Sequence, residues 1–256
     1  MSKTKISILG CGWLGKALVQ KLIVDYDVWC SVSSEASYGK LTHKQKVILN
    51  PQNNYIDSDF YHCDTLIIAI PPKEDYLKNL EMILLNIRIK TQLILLSSTS
   101  VYTQSSGIVT EEMSAFVSQL SLMHQGELVI QTNFPSALIL RLGGLMGYGR
   151  IAGKYSAGKR LYHNRFINYV HRDDVVKLIH LCIIKSIKNN TFNVVAPLHP
   201  TCKELYDYNA KRYQFSPTIF NDETKSGKIV SSSKVEKILD FSFKYCTIEN
   251  ICQSPV

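Results

Sequence analysis

The chain reads as an α/β protein, a doubly wound parallel sheet of the Rossmann type followed by a small C-terminal α+β region. Three observations predict this. Short apolar runs alternate with segments of helical period from residue 6 to residue 142. The first run ends in a glycine-rich turn, with glycines at 10, 12 and 15, and beyond Arg141 the texture turns glycine-rich and basic.

The elements follow in order. Ile6 to Leu9 is a short apolar strand, and Trp13 to Ile23 carries Leu14, Ala17, Leu18 and Leu22 at helical spacing. Asp27 to Ser33 is β-rich, and Val47 to Leu49 is a further short strand. Asp64 to Ile70 (DTLIIAI) is almost unbroken apolar sequence closed by Pro71 and Pro72, the pattern of a strand buried on both faces. A helix is expected over about 75–87, a strand at Gln92 to Ser98, a polar loop containing Gly107, a helix over about 114–132, and a strand at Ala137 to Leu142. After Arg141 come six glycines between 143 and 158, a short strand near 166–170, a helix from Arg172 to about Ile184 and a strand at Thr191 to Val195. A helix from Thr201 to Tyr213 follows, and a last one near Ser233 to Leu239 has Ser231, Ser232 and Ser233 as caps. The alternation assigns residues 1–142 to the sheet domain. Residues 143–256, with too few elements for a second complete core, are expected to pack on the sheet's C-terminal edge as a substrate-side region of one compact unit.

The glycine turn carries the first chemical reading. Gly10 reaches backbone angles closed to other residues, Gly12 lets the main chain approach a pyrophosphate, and Gly15 removes a side chain where helix and strand pack closely. The helix N-terminus at Trp13 and Leu14 turns free N–H groups and a partial positive charge toward the same place. Because the turn follows a strand and opens a helix, it predicts a dinucleotide site. At the end of the second strand, where an NAD site places Asp or Glu, the chain has Ser33 and Ser34, with Glu35 late and Lys40 beyond. Hydroxyls and a nearby cation suit a 2′-phosphate, so NADP is favoured and NAD is the alternative.

Composition bounds the rest. The chain has 256 residues, 45% hydrophobic and 20% charged, and no apolar run approaches the ~20 residues needed to span a bilayer. With no signal-peptide pattern at its start, it is expected to be cytoplasmic and not membrane-bound. Seven scattered cysteines without a C-x-x-C pair predict buried reduced thiols rather than a disulfide framework or a metal site. The net charge of +8 is uneven: 11 basic against 12 acidic residues through Leu140, then 18 against 9. Between Arg150 and Arg172 stand six basic residues and no acid, which fits an anion site, a solvated surface, or a nucleic-acid footprint. Nucleic acid is disfavoured because no aromatic–basic interleaving or reader motif accompanies the charge. Arg150, Lys154 and Arg165 are the candidate substrate-binding residues.

Further motifs add a resemblance. LLSSTSVY (Leu95 to Tyr102), LRLGGLMGYGR (Leu140 to Arg150) and NYVHRDDVV (Asn168 to Val176) resemble, in order, the S-S-x-x-V-Y, L-R-x-x-x-x-Y-G-P-G-R and F-V-H-V-D-D-V signatures of extended short-chain dehydrogenase/reductases, the NAD(P)-dependent epimerase/dehydratase family. GCGWLG, IPPK (Ile70 to Lys73) and NVVAPLHPTCKELY (Asn193 to Tyr206) are similar to the atypical YeeZ-like branch. The resemblance implies a catalytic hydroxyl at Ser98, cofactor contacts at Ala69, Ile70, Pro71 and Ser97, and a nicotinamide side formed by Leu142, Gly143 and Gly144. The alternative for Ser98 is a helix or turn cap. His171 is read as orienting its segment, and Asp173 and Asp174 as helix caps.

One departure bears on the mechanism. The family's Tyr-x-x-x-Lys pair is absent from SQLSLMHQGELVIQ (Ser118 to Gln131), where aligning Glu127 with the glutamate that often follows the pair sets Gln119 and Met123 in its place. Neither exchanges a proton near neutral pH, which leaves Tyr102 and His124 as substitute donors. Two functions follow. One is an NADP-favouring oxidoreductase or epimerase-like enzyme acting on a carbonyl or alcohol carbon of an anionic small molecule. The other is a catalytically silent NAD(P)-binding redox sensor. Helices near 75–87 and 114–132 are where extended family members pair as homodimers, and Phe116, Leu120, Met123 and Leu128 serve either a partner or the core.

Overall fold

A computed structural model describes residues 3–53, 55–73, 75–103, 106–113 and 121–253. The chain divides into two compact units. The first comprises Met1–Val101, Ser118–Arg141 and Val176–Thr191, and the second Tyr102–Val117, Leu142–Val175 and Phe192–Val256.

The main sheet is built from β1 (Lys5–Leu9), β2 (Asp27–Val32), β3 (Lys46–Ile48), β4 (Thr65–Ile68), β5 (Gln92–Ser98), β7 (Leu138–Leu142) and β11 (Asn190–Val194), in the order β11-β7-β5-β4-β1-β2-β3. β6 (Ser106–Val109) lies elsewhere. Strands β1 to β5 pair in parallel, with Ile6 opposite both Val28 and Thr65, and Leu66 opposite Leu93. From β1 the chain builds outward through β2 and β3, then returns to start again at β4. The ends of β1 and β4 therefore flank the point where winding reverses, which is where such sheets open a crevice. The apolar run read from the sequence is β4, buried at every position.

Helices α1 (Trp13–Leu22), α4 (Tyr76–Leu84) and α5 (Leu122–Asn133) stand where helical period placed them. The part of the expected 114–132 helix that covers residues 114–120, with Phe116, Gln119 and Leu120, lies outside the described residues. Of the remaining apolar residues proposed for pairing, Met123 is buried and Leu128 is 46% exposed. Two short helices, α2 (Glu35–Gly39) and α3 (Ser58–Tyr61), were absent from the sequence reading; Ser34 and Asp57 cap them through their side chains.

In the second unit β8 (Gly144–Met146) pairs with β10 (Tyr169–His171), and β12 (Ile219–Val230) lies between β6 and β9 (Arg160–Arg165). The expected polar loop around Gly107 is thus a strand. Its sequence SGIV is exposed at three of four positions, so no apolar alternation marks it. α6 (Arg172–Ile184), α7 (Cys202–Tyr213) and α8 (Ser233–Leu239) match their expected ranges, and a Thr201–Glu204 capping box opens α7. Ala152, Ile167, Ala196, Leu205, Ile251 and Cys252 form a core cluster in this unit, with Met146, Tyr169 and Tyr206 packed against it. Among the described residues no helix is long and apolar enough to cross a membrane.

Candidate functional site

The glycine turn begins where β1 ends, at the reversal point. Gly10 has φ +100°, and a Cβ there would lie 2.8 Å from Ala69 O. A Cβ on Gly15 would lie 2.5 Å from Gly10 O, so helix and strand touch where only glycine fits. Gly12 differs from both. Its φ of −79° is open to any residue and a Cβ there would meet nothing within 4 Å. Nothing among the described residues requires glycine at this position; a group approaching the main chain from outside would. Gly12 is also the N-cap of α1 and supplies no side-chain cap to the first turn, which contains Trp13, Leu14 and Gly15.

Around the turn lies a cavity of about 380 Å³ lined by Gly10, Cys11 and Gly12, by Ser33, and by Ala69, Ile70 and Pro71 beyond β4. Leu49, Pro51, Tyr55, Lys73, Tyr76 and Asn79 complete its wall. Among the described residues no carboxylate lines it, and Lys73 is its one lining cation. Ser31 stitches the floor: Gly10 N–H donates to Ser31 Oγ at 3.1 Å and Cys11 N–H to Ser31 O at 2.7 Å. Ser33 lies on the wall, whereas Ser34 is occupied in capping α2, its Oγ accepting from Ser37 N–H at 3.3 Å. The sequence reading missed Lys73, although it quoted the IPPK run. It also missed Tyr76 and Asn79, which carry no motif and reach the cavity only because α4 follows β4.

At the end of β5, Ser97 and Ser98 have separate fates. Ser97 is buried and its hydroxyl donates to Glu127 Oε1 at 2.5 Å. Ser98 is partly exposed, and its Oγ accepts from Ser100 N–H at 3.1 Å, as in a turn cap. That bond uses a lone pair and leaves the O–H to donate. Glu127 is fully buried and receives Arg141 Nε and Nη2 at 3.0 and 2.7 Å. His124 stands one helical turn before it, Nδ1 at 3.8 Å from Glu127 Oε2 and without a hydrogen-bond partner among the described residues.

The other predicted residues belong to the second unit. Tyr102 is buried, its hydroxyl donating to Asn193 Oδ1 at 2.7 Å. Gly143 N–H donates to Val194 O at 3.0 Å and Gly144 N–H to Asn168 O at 2.9 Å. A Cβ on Gly143 would meet Asn168 O at 2.5 Å, and one on Gly144 the Tyr169 ring at 2.5 Å. These glycines have packing reasons of their own. The basic stretch does not form one cluster: Arg150 lines a cavity of about 670 Å³ with Lys159, Tyr169 and Tyr206. Arg165 lines another of about 800 Å³ with His163, Lys225, Lys228, Ser106 and Ser226. Neither cavity has a carboxylate among its described lining residues, and Lys154 is in neither. Lys228 is half-buried, and burial pushes its ammonium pKa down. His171 orients its segment as expected, Nε2 lying 2.8 Å from Gln253 O and Nδ1 accepting from Asp173 N–H at 3.2 Å. Asp173 and Asp174, expected as caps, instead lie within the first turn of α6: Asp173 accepts from Tyr148 O–H at 2.7 Å, and Asp174 receives the backbone N–H groups of Lys244 and Tyr245 at 3.0 and 2.9 Å.

No family model matches the chain. Protein YeeZ of Escherichia coli is 28% identical to it, over 94% of this chain and 96% of that protein. Among solved structures, a Methylobacillus flagellatus protein described as a candidate NAD-dependent epimerase/dehydratase is 20% identical with a TM-score of 0.81, covering 97% of this chain and 96% of its own. UDP-glucuronic acid 4-epimerase of Bacillus cereus, solved in complex with NAD, is 18% identical with a TM-score of 0.74 at 97% and 96% coverage. With the turn and the strand order in place, the chain is similar to protein YeeZ along nearly its whole length and has the Rossmann-type fold of these solved structures.

Proposed function

We propose that the protein is an NAD(P)-dependent oxidoreductase or epimerase-like enzyme acting on a carbonyl or alcohol carbon of an anionic small molecule, with NADP the favoured cofactor. Gly12 carries the reading: a glycine that no described neighbour requires, at the mouth of a cavity and the start of a helix, leaves room for a pyrophosphate against the main chain. The residues present fit a dinucleotide. Gly10, Gly12, Trp13, Leu14 and Gly15 would hold its phosphates, and Ala69 to Pro71 its central ribose. Ser33 and Lys73 on one wall, with no carboxylate among the described lining residues, favour a 2′-phosphate over a free 2′-hydroxyl. The resemblance assigns Leu142 to Gly144 to the nicotinamide side, and Ser34 and Ser97 to the cofactor set; both serines also have the structural partners described above.

When bound, the nicotinamide supplies a hydride acceptor or donor. The protein supplies position and protons. Ser98 would donate its O–H to the substrate oxygen, for which its turn bond leaves it free. His124 and Tyr102 are the candidate proton carriers, and the buried Tyr102 hydroxyl must first exchange its bond to Asn193. Arg150 and Arg165, each in its own cavity without a carboxylate among the described lining residues, are candidates for the anionic part of the substrate. Lys154 remains a candidate from its place in the basic stretch.

The rival, a silent redox sensor, draws on Met123, which is buried where the family's lysine would stand. A fluorescence titration with NADPH, NADP, NADH and NAD separates the two. Similar affinity for both redox forms supports the enzyme, marked preference for one form supports the sensor, and no binding at all overturns the dinucleotide site itself.

A further inference from the structure

The residue between the two leading glycines is a cysteine, and it has a partner. Cys11 lines the glycine-turn cavity and Cys30 lies in β2, fully buried. The β1–β2 register sets Ile8 opposite Cys30, and the chain leaving β1 bends across the end of β2, where Cys11 N–H is bonded to Ser31 O at 2.7 Å. The two residues therefore stand at the same end of neighbouring strands, near enough for their thiols to act on each other's titration. No other two cysteines act on each other in this way among the described residues. The remaining thiols with a side-chain partner reach Ser7 (Cys63), Tyr206 (Cys202) and Asn209 (Cys252).

The environments of the two sulfurs differ in the sense that thiol oxidation requires. Cys30 and the nearby Lys16 ammonium favour the Cys11 thiolate and lower its pKa, whereas Cys11 and burial hold Cys30 protonated. Cys11 borders the cavity and is 5% exposed against none for Cys30, so a small oxidant reaches Cys11 first.

We propose that Cys11 and Cys30 are an oxidisable dithiol whose disulfide closes the glycine turn to nucleotide. The oxidant is of the hydroperoxide class. The Cys11 thiolate attacks the peroxide, the O–O bond breaks, water leaves after protonation, and Cys11 becomes a sulfenic acid. Cys30 then attacks that sulfur, an S–S bond forms, and a second water leaves. Two thiols lose two electrons in all, and one hydrogen peroxide becomes two waters. A dithiol reductant reverses the change. A disulfide holds its sulfurs about 2 Å apart, well inside hydrogen-bond contact, so the turn must be drawn toward β2. The opposite side of the turn cannot follow without loss, because Gly10 already sits against Ala69 and Gly15 against Gly10.

The effect on nucleotide rests on the function proposed above; formation of the disulfide does not. The full chain is treated with hydrogen peroxide, free thiols are alkylated, and the digest is read by mass spectrometry alongside NADPH titration. A cross-linked Cys11–Cys30 peptide is expected, with two of the seven thiols lost to alkylation. Affinity should fall about tenfold or more and return with dithiothreitol. Cys30→Ala should bind like the parent when reduced and form no cross-link when oxidised. Cys63→Ala, altered at a cysteine buried elsewhere, should behave as the parent. Over-oxidised Cys11 without the cross-link overturns the dithiol, and a cross-link with unchanged affinity overturns the switch. Should the reduced protein bind no nucleotide, the proposed function fails and the peptide map alone decides the disulfide.

Discussion

Glu127 Oε2 lies 2.7 Å from the Arg141 guanidinium, and both side chains are buried within the first unit. The carboxylate's other oxygen takes the Ser97 hydroxyl, so the end of β5, helix α5 and strand β7 meet at one buried charge. Removing either partner strands the other. Arg141→Met is expected to lower the unfolding free energy by about 3–5 kcal/mol, and Glu127→Leu with Arg141→Met to recover part of that loss. Urea denaturation of the single and double variants checks this, and additive losses would refute the coupling.

The two glycines of the turn make opposite predictions. Gly12→Asp projects a carboxylate into open space, so the fold should survive while nucleotide binding disappears. Gly15→Ala places a Cβ 2.5 Å from Gly10 O, so stability should fall by about 1–3 kcal/mol through overpacking. Thermal melts and NADPH titration on both variants separate the effects. Undiminished binding in Gly12→Asp would remove the site.

These glycines also show what was legible in the sequence. Gly10 and Gly15 answer local demands, a positive φ and a close contact, and each leaves a trace in one residue type. The continuous apolar run of β4 and the Thr201–Glu204 box of α7 are local in the same way. β6 and β12 left no such trace, because exposed, polar strands lack the apolar alternation that reports a buried face. The basic residues show the cost of missing them. Arg150 and Arg165 are close in sequence and line different cavities. Lys225 and Lys228 come to Arg165 because β12 pairs with β9, with Ser226 opposite Arg165. Pairing between strands distant in sequence is invisible to a count of charges.

Ser98 is the site residue whose role and structure can be separated. Its bond from Ser100 N–H is a local turn contact that alanine loses at modest cost, about 1 kcal/mol. Ser98→Ala is therefore expected to keep nucleotide affinity nearly unchanged and to abolish any carbonyl reduction found in a substrate screen. Equal turnover would move the catalytic hydroxyl to Tyr102 or the proton to His124.

His171 makes stability depend on pH. Its ring is buried, stacked on Tyr245 at 3.8 Å between centroids, with Nδ1 accepting from Asp173 N–H and Nε2–H donating to Gln253 O. Protonation would place a charge in that stack and break the bond at Nδ1. Burial accordingly holds its pKa below the ordinary value of 6.5, against smaller opposing pulls from Gln253, Asp173 and Asp174. Burial lowers His180 and His199 as well. The unfolded chain takes up protons at these residues as pH drops through about 6.5, while the folded chain resists until lower pH. The stability they contribute is therefore complete above that value and is lost as pH falls toward the folded pKa. His171→Phe keeps an aromatic ring against Tyr245 but strands Gln253 O and Asp173 N–H, so it should be less stable than the parent near pH 8 and lose less on acidification to about pH 5. Denaturation across that range measures both slopes, and parallel curves for parent and variant would show that His171 contributes none of the dependence.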